Sequence, residues 1–389
     1  MSSFQVRFPV QVIFGKGELR RVGEVAKGFG KKAFLAIDPF IKNSGVGEEI
    51  KGYLKREQVE ALVYDEIRPN PPYDKVDEAA SLAKEEGCDM VIGVGGGSAI
   101  DTAKAVAVVV GSGGSSWDYV QRTDHQVAQL KETTLPIIAV PTTAGTGSEA
   151  TLYAVLTNPK IKEKSTIINP RIFPKVSIVD PELTVSMPPA LTASTGFDAL
   201  SHAIESYINV NSNPISELVA LDSIKLLSRY LPGAVTNGEN IEARSKVAWA
   251  ATLAGVAISH AGTVLPHAMG QPISGLYDAP HGGTIAACFV RIMEYSFISN
   301  LEKFAAIAEA MDESVSTLSV RQKAEKSIEL LKRLLKDINL NVSFGTYGVQ
   351  REDVPKLVDI VLKGFKQDVD AHPRKVGKEE IEKLYCECI

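Results

Sequence analysis

Short apolar runs alternate with helical patterns through the first half of this chain, and after about Val185 the apolar runs stop. Lys32–Ile37, Val59–Tyr64, Met90–Val94 and Pro136–Val140 read as strands buried on both faces. Glu18–Gly28, Gly45–Arg56, Tyr73–Glu86 and Ser98–Val110, lying between or beside them, carry helical spacing. This alternation predicts a doubly wound parallel sheet with helices on both faces. Leu152–Thr157, Ser165–Ile168 and Val176–Val179 add further strands. Beyond them Leu191–Ile208, Ile215–Tyr230, Ile241–Ser259, Thr284–Ser299, Leu318–Leu335 and Asp353–Phe365 all read as helices, and the nearly all-apolar Val247–Ile258 marks a central buried one. Met187-Pro188-Pro189 is a natural boundary. The expected organisation is an α/β domain over 1–187 and an all-α domain over 188–389, with a ligand cleft between them.

Several function classes fall away on composition. A net charge of −5 supplies no basic field for nucleic acid. No apolar run approaches the roughly 18 residues that span a bilayer. Met1-Ser-Ser-Phe-Gln-Val-Arg-Phe8 lacks the charged and apolar regions of a signal peptide. Cys88, Cys288, Cys386 and Cys388 are too few and too scattered for a disulfide framework, so a reduced, cytoplasmic setting is expected. Cys386-Glu-Cys388 offers two thiols, but no partner stands near them in the sequence.

Four of the six histidines fall between positions 202 and 281. Asp198 and His202 stand four apart within Gly196-Phe-Asp-Ala-Leu-Ser-His202, so both project from one helix face, their Cβ atoms roughly 6 Å apart. A carboxylate and an imidazole so placed form half of a divalent-metal site. His267 and His281 follow downstream. Gly270, Pro272, Gly275 and Pro280 lie between those two and forbid one continuous helix, so they must come from separate elements.

Val91–Gly97 runs from a strand into three adjacent glycines, and Ser98-Ala-Ile-Asp101-Thr-Ala-Lys104 then opens a helix. Glycines let a backbone approach a phosphate, and a helix N-terminus presents free N–H groups to it. Ser98 fits an N-cap and Asp101 stands three residues on, a capping-box spacing. The loop is not the G-x-G-x-x-G dinucleotide fingerprint. A second loop, Pro141-Thr142-Thr143-Ala-Gly145-Thr146-Gly147-Ser148-Glu149, also follows a strand and places hydroxyls at the same sheet edge, where open α/β sheets bind ligands. Asp38, after the Lys32–Ile37 strand, can accept hydrogen bonds from an adenosine ribose and repel a 2′-phosphate, which favours NAD over NADP. A carboxylate in a turn before Pro39 is the plain alternative.

Taken in order, Phe14-Gly-Lys-Gly17, Pro69-Asn70-Pro71, Gly95–Asp101, Pro141–Glu149, Asp180-Pro-Glu-Leu183, Gly196–His202 and Pro280-His281-Gly282 resemble the iron-containing (group III) alcohol dehydrogenases over nearly the whole chain. The resemblance implies a Rossmann-like nucleotide domain followed by a helical metal-binding domain, the dehydroquinate-synthase-like arrangement, in a homodimer. It implies the metal ligands Asp198, His202, His267 and His281, a set that suits Fe(II) or Zn(II). For the cofactor it implies Gly95, Gly96, Gly97 and Ser98 at the pyrophosphate, and Thr142, Thr143 and Thr146 at adenine and phosphate. Asn70 and Leu183 would lie near adenosine, and Asp101 near the nicotinamide. Lys164 would reach a ribose or phosphate, although Lys160 and Lys162 nearby make a plain surface lysine the alternative.

The expected reaction is oxidation of a small alcohol, or reduction of an aldehyde or ketone, with the metal polarising oxygen and NAD(P) carrying hydride. One position departs from the family pattern. Gln271 stands where many relatives carry a second histidine thought to relay protons, and an amide cannot titrate. His260, where relatives often have asparagine, is a candidate to share that duty, against the plain reading of a core histidine. A hydroxyacid–oxoacid transhydrogenase, a dehydroquinate-synthase-like cyclase and a catalytically dead nucleotide-binding scaffold are the competing readings.

Overall fold

A computed structural model of the protein describes residues 4–124 and 126–389. Met1–Ser3, the start of the segment read above for a signal peptide, lie outside the described residues. The chain divides into two units. One is Phe8–Thr184; the other is Val185–Ile389 with the N-terminal residues through Arg7.

The first unit is built on a six-stranded sheet, parallel throughout, in the order β1-β8-β5-β4-β2-β3. Its strands are β1 (Gln11–Phe14), β2 (Lys32–Ile37), β3 (Glu60–Tyr64), β4 (Met90–Gly95), β5 (Ile137–Pro141) and β8 (Val176–Val179). Alternate residues of β2 enter different cores: Phe34 and Ala36 join one apolar cluster, while Ala33, Leu35 and Ile37 join the other. Burial on both faces explains the unbroken apolar runs. β1 carries too short a run to be read from sequence. β6 (Tyr153–Asn158) and β7 (Glu163–Ile168) are not part of the parallel sheet; they form a separate antiparallel pair. Their half-buried pattern fits a ribbon covered on one side, where ladder pairing rather than apolar content makes the strand.

The second unit is helical. Pro189–Ile208, Pro214–Thr236, Ile241–Ala261, Leu265–Tyr277 and His281–Ser296 make its centre. Leu265–Tyr277 is a helix despite Gly270, Pro272 and Gly275; the break before His281 falls at Asp278, which has a left-handed φ of 50°, and at Pro280. The two histidines therefore come from separate helices as expected, although only the last of the four suspected breakers lies at the break. Leu301–Met311 and Lys378–Cys388 are further helices. Among the described residues no single helix is long and apolar enough to cross a membrane. The pair Ile241–Ala261 and Leu265–Tyr277 reaches that composition only together, across a 108° bend.

Candidate metal centre and nucleotide loops

Helix Pro189–Ile208 is buried from Gly196 to its end. Its inner face presents Asp198, His202 and Glu205, at i, i+4 and i+7. Helix His281–Ser296 packs on it through an edge-to-face contact of Phe197 and Phe289, with ring centroids 5.4 Å apart. At that crossing a Cβ on Gly282 would lie 2.1 Å from the Ser194 carbonyl oxygen, so only glycine lets His281 come this close. The His267 helix enters the same space from its own N-terminus.

Three imidazoles converge on one carboxylate oxygen. Asp198 Oδ1 lies 3.6 Å from His267 Nε2, 3.6 Å from His281 Nε2 and 3.9 Å from His202 Nε2. Donor atoms of Asp198, His267 and His281 all lie within 4.8 Å of one another, and the His202 ring stacks on that of His267 at 4.6 Å. These separations exceed hydrogen-bonding distance. They are close to the roughly 3.4 Å between neighbouring ligands of a tetrahedral ion with bonds of about 2.1 Å. Asp198 Oδ1 and His267 Nε2 are buried without a hydrogen-bond partner. Buried polar atoms left open in this way cost free energy unless something satisfies them. One carboxylate and three imidazoles suit a divalent transition ion. Asp198, His202 and His267 are buried, whereas the His281 side chain is 26% exposed and forms the accessible side of the set.

Charge within this cluster is strongly coupled. Burial alone would raise the Asp198 carboxyl, but the imidazoles of His202, His281 and His267 outweigh it and hold the group well below the ordinary carboxylate range. Burial would lower His267, but Glu205 and Asp198 push it up to about 10.

Glu205 was not foreseen. It is fully buried, and its Oε1 accepts His267 Nδ1–H at 2.6 Å. Its Oε2 accepts the backbone N–H of Val264 at 2.8 Å and of His267 at 3.4 Å. One carboxylate therefore serves as a cap for the Leu265–Tyr277 helix, whose N-cap Val264 offers no side-chain acceptor. It also fixes the His267 tautomer that turns the Nε2 lone pair toward Asp198. The i, i+4, i+7 spacing of Asp198, His202 and Glu205 in an apolar helix was the available signal.

Gln271 lies one turn after His267, 9% exposed, with its Oε1 buried and unpartnered. His260, the candidate proton carrier, is bound to backbone at both ring nitrogens. Its Nδ1 lies 2.7 Å from the Val256 carbonyl, and its Nε2 lies within 3.2 Å of both the Arg7 N–H and the Arg7 carbonyl. Both ring nitrogens are committed to backbone, so His260 anchors the N-terminal segment.

In the first unit, the chain leaves β2 to one side for β3 and returns on the other side for β4. The carboxyl ends of β2 and β4 thus form the topological switch point where such sheets bind ligands. Asp38 and Gly95 meet there, the Asp38 N–H donating to the Val94 carbonyl at 2.9 Å. Gly95 has φ +149°, and a Cβ on it would stand 2.7 Å from Ala99 Cβ and 3.0 Å from Asp38 Cβ. The Thr-rich loop closes on the same turn. Thr142 N–H donates to the Gly95 carbonyl at 3.0 Å, and Thr143 and Thr146 face Gly96 and Gly97. Asp38 caps the short helix Pro39–Ile41 through Phe40 N–H at 2.9 Å, so the plain turn role is real; Oδ1 serves it.

Two expectations for this loop change. The N-cap of helix Gly97–Ser112 is Gly96, and Ser98 sits inside the first turn, because the glycines let the helix begin two residues earlier. Asp101 completes no capping box. It is buried, with Oδ1 accepting the Ser148 hydroxyl at 2.6 Å and Oδ2 accepting Val155 N–H at 3.0 Å. Both Asp101 oxygens are thus engaged within the protein. Lys164 is only 6% exposed and donates to Asn70 Oδ1 at 2.9 Å, which overturns the surface-lysine alternative. Asn70 holds a φ of 52°, and Leu183 packs half-buried against the apolar cluster of Leu35 and Ile37.

Comparison with known proteins agrees with this chemistry. Residues 9–181 match the family model described as iron-containing alcohol dehydrogenase, and residues 192–389 match that of the C-terminal region of Fe-containing alcohol dehydrogenases. The chain is 36% identical over 379 residues to the NAD-dependent methanol dehydrogenase of Bacillus methanolicus, covering 97% of each chain. It is 37% identical to the 1,3-propanediol dehydrogenase of Klebsiella pneumoniae, covering 98% of each. Among solved structures, an alcohol dehydrogenase of an archaeal halo-thermophile from a Red Sea brine pool matches over the full length of both chains, with TM-score 0.96 and 38% identity.

Proposed function

The chain belongs to the iron-containing alcohol dehydrogenase family; from that premise we propose that it is an NAD-linked oxidoreductase of alcohols and that its residues divide the work as follows. Asp198, His202, His267 and His281 hold one divalent cation, Fe(II) by family. Gly95, Gly96, Gly97, Ser98, Thr142, Thr143 and Thr146 cradle the NAD diphosphate, with Asp38 at the adenosine ribose. When bound, the cation supplies Lewis-acid polarisation of the alcohol or carbonyl oxygen, and the nicotinamide accepts or returns the hydride. Glu205 orients His267, and the partly exposed His281 marks where a substrate oxygen enters. Gln271 offers a hydrogen-bond acceptor and holds no titrating proton. The substrate is a small alcohol or its aldehyde, and the active species is a homodimer.

The observation that carries this reading is the convergence of three imidazoles on the unpartnered Asp198 Oδ1. The test is metal analysis of purified protein, then turnover of a panel of small alcohols and aldehydes with NAD(H) and NADP(H), before and after chelation. Expected results are one divalent ion per chain, NADH formed in the steady state, and loss of turnover on chelation that Fe(II) restores. Protein that binds no metal, or that turns over without net NADH formation, refutes it.

A further inference from the structure

Lys104 lies seven residues into helix Gly97–Ser112, on the face that carries Gly97 and Asp101, and it is wholly buried. Isolated ammonium groups are not buried without strong compensation. Here Nζ meets the carbonyl oxygens of Ser148 (2.7 Å), Thr151 (3.0 Å) and Tyr153 (2.7 Å) and the hydroxyls of Ser148 (3.0 Å) and Thr151 (3.1 Å). All these acceptors belong to one segment, Ser148–Tyr153, which leads out of the Thr-rich loop into β6. An ammonium has three N–H donors and no acceptor, so more oxygens surround it than it can serve at once. The Ser148 hydroxyl stands between the two charges, accepting from Lys104 and donating to Asp101 Oδ1 at 2.6 Å. Asp101 in turn holds Val155 N–H, so the helix grips the segment at 148, 151, 153 and 155.

The loop just before this grip is the one whose Thr142, Thr143 and Thr146 close on Gly95, Gly96 and Gly97. Its first end is fixed by β5, and its second end is fixed by Lys104 and Asp101. We propose that Lys104, linked to Asp101 through the Ser148 hydroxyl, is a positioning residue that holds the Thr-rich loop against the glycine loop and thereby sets the affinity for the cofactor's diphosphate. The inference rests on reading those loops as the NAD site, and it adds a determinant of that site that no cofactor contact would reveal.

Lys104→Met keeps length and removes the donors. Thr151→Val and Ser148→Ala remove single partners and leave the charge in place, so they serve should Lys104→Met fail to fold. NADH and ADP-ribose are titrated into the metal-loaded enzyme, KM for NAD and kcat are measured at saturating alcohol, and metal content and Tm are recorded. In Lys104→Met, Kd for both probes and KM for NAD rise about tenfold or more, with kcat at saturating NAD within about twofold of wild type and metal content unchanged. Thr151→Val and Ser148→Ala move the same constants in the same direction by less. A role in folding alone would lower Tm and leave Kd and KM at wild-type values, and that result overturns the proposal. So does a fall in kcat with unchanged affinity for ADP-ribose. Wild-type enzyme that binds neither probe defeats the loop assignment and this inference with it; wild-type binding with unshifted variants defeats this inference alone.

Discussion

Replacing Glu205 by glutamine tests the metal centre at a residue that touches no metal. In the wild type the 2.6 Å contact from His267 Nδ1 to Glu205 Oε1 is a charge-assisted hydrogen bond. Glutamine can still accept that N–H, so geometry survives while the charge is lost. Hydrogen bonds to charged groups contribute about 1.5–3 kcal/mol and neutral ones about 0.5–1.5, a difference of roughly 1–2 kcal/mol. That converts to a roughly 5–30-fold weaker hold on the cation, in line with the 10–100-fold (order of magnitude) effects of such outer partners elsewhere. Glutamine's NH2 group must also avoid facing Val264 N–H, which Oε2 accepts at 2.8 Å, so some loss of Tm accompanies the change. The assay is a competition titration against a chelator of known affinity, with kcat expressed per bound ion. The expected result is weakened metal binding with kcat per ion reduced less than affinity. Wild-type affinity and wild-type chelator-driven release in Glu205→Gln would refute the claim that this carboxylate sets the donor strength of His267.

Three further outcomes follow from the geometry. Because His267 is raised to about 10 without a metal, the apo protein keeps its proton at neutral pH and metal must displace it. The proton therefore stabilises the apo fold fully below an unfolded pKa of about 6.5, and this is lost as pH rises through about 10. Metal affinity should climb about tenfold per pH unit between roughly pH 7 and 9, read by the same competition titration, and an affinity independent of pH contradicts this. Gly95→Ala forces a side chain into a left-handed φ and into Ala99 and Asp38, so NADH binding falls below detection while metal content is retained; normal NADH affinity would exclude the switch-point loop as the site. Gln271→His places a titrating group one turn from His267, and the pH profile of kcat/KM gains an ionisation near 6.5 (roughly) that the wild type lacks; an unchanged profile would show that position 271 does not face the reacting atoms.

The parallel sheet was legible in the sequence because strands buried on both faces carry their signal locally, in apolar-rich runs; Lys32–Ile37 and Val176–Val179 are both reproduced to the residue by the structure. The Asp198 and His202 pair was legible for a similar reason, since one helix face has a fixed period. Sequence could also place His267 and His281 on different elements, since Pro280 forbids continuation. What it could not show was distance. Only packing, through Gly282 against Ser194 and Phe197 against Phe289, brings His281 to the carboxylate that His202 approaches from its own helix. The misread residues share one cause. Ser98 looked like a cap, Asp101 like its partner and His260 like a proton carrier, because a polar side chain declares its chemistry in the sequence but not its partners. Tertiary structure gave Asp101 to Ser148 and Val155, His260 to Arg7 and Val256, and Lys104 to a segment more than forty residues away. Periodicity is a property of neighbours along the chain; a polar atom's partner is chosen by whichever distant segment the apolar packing delivers to it.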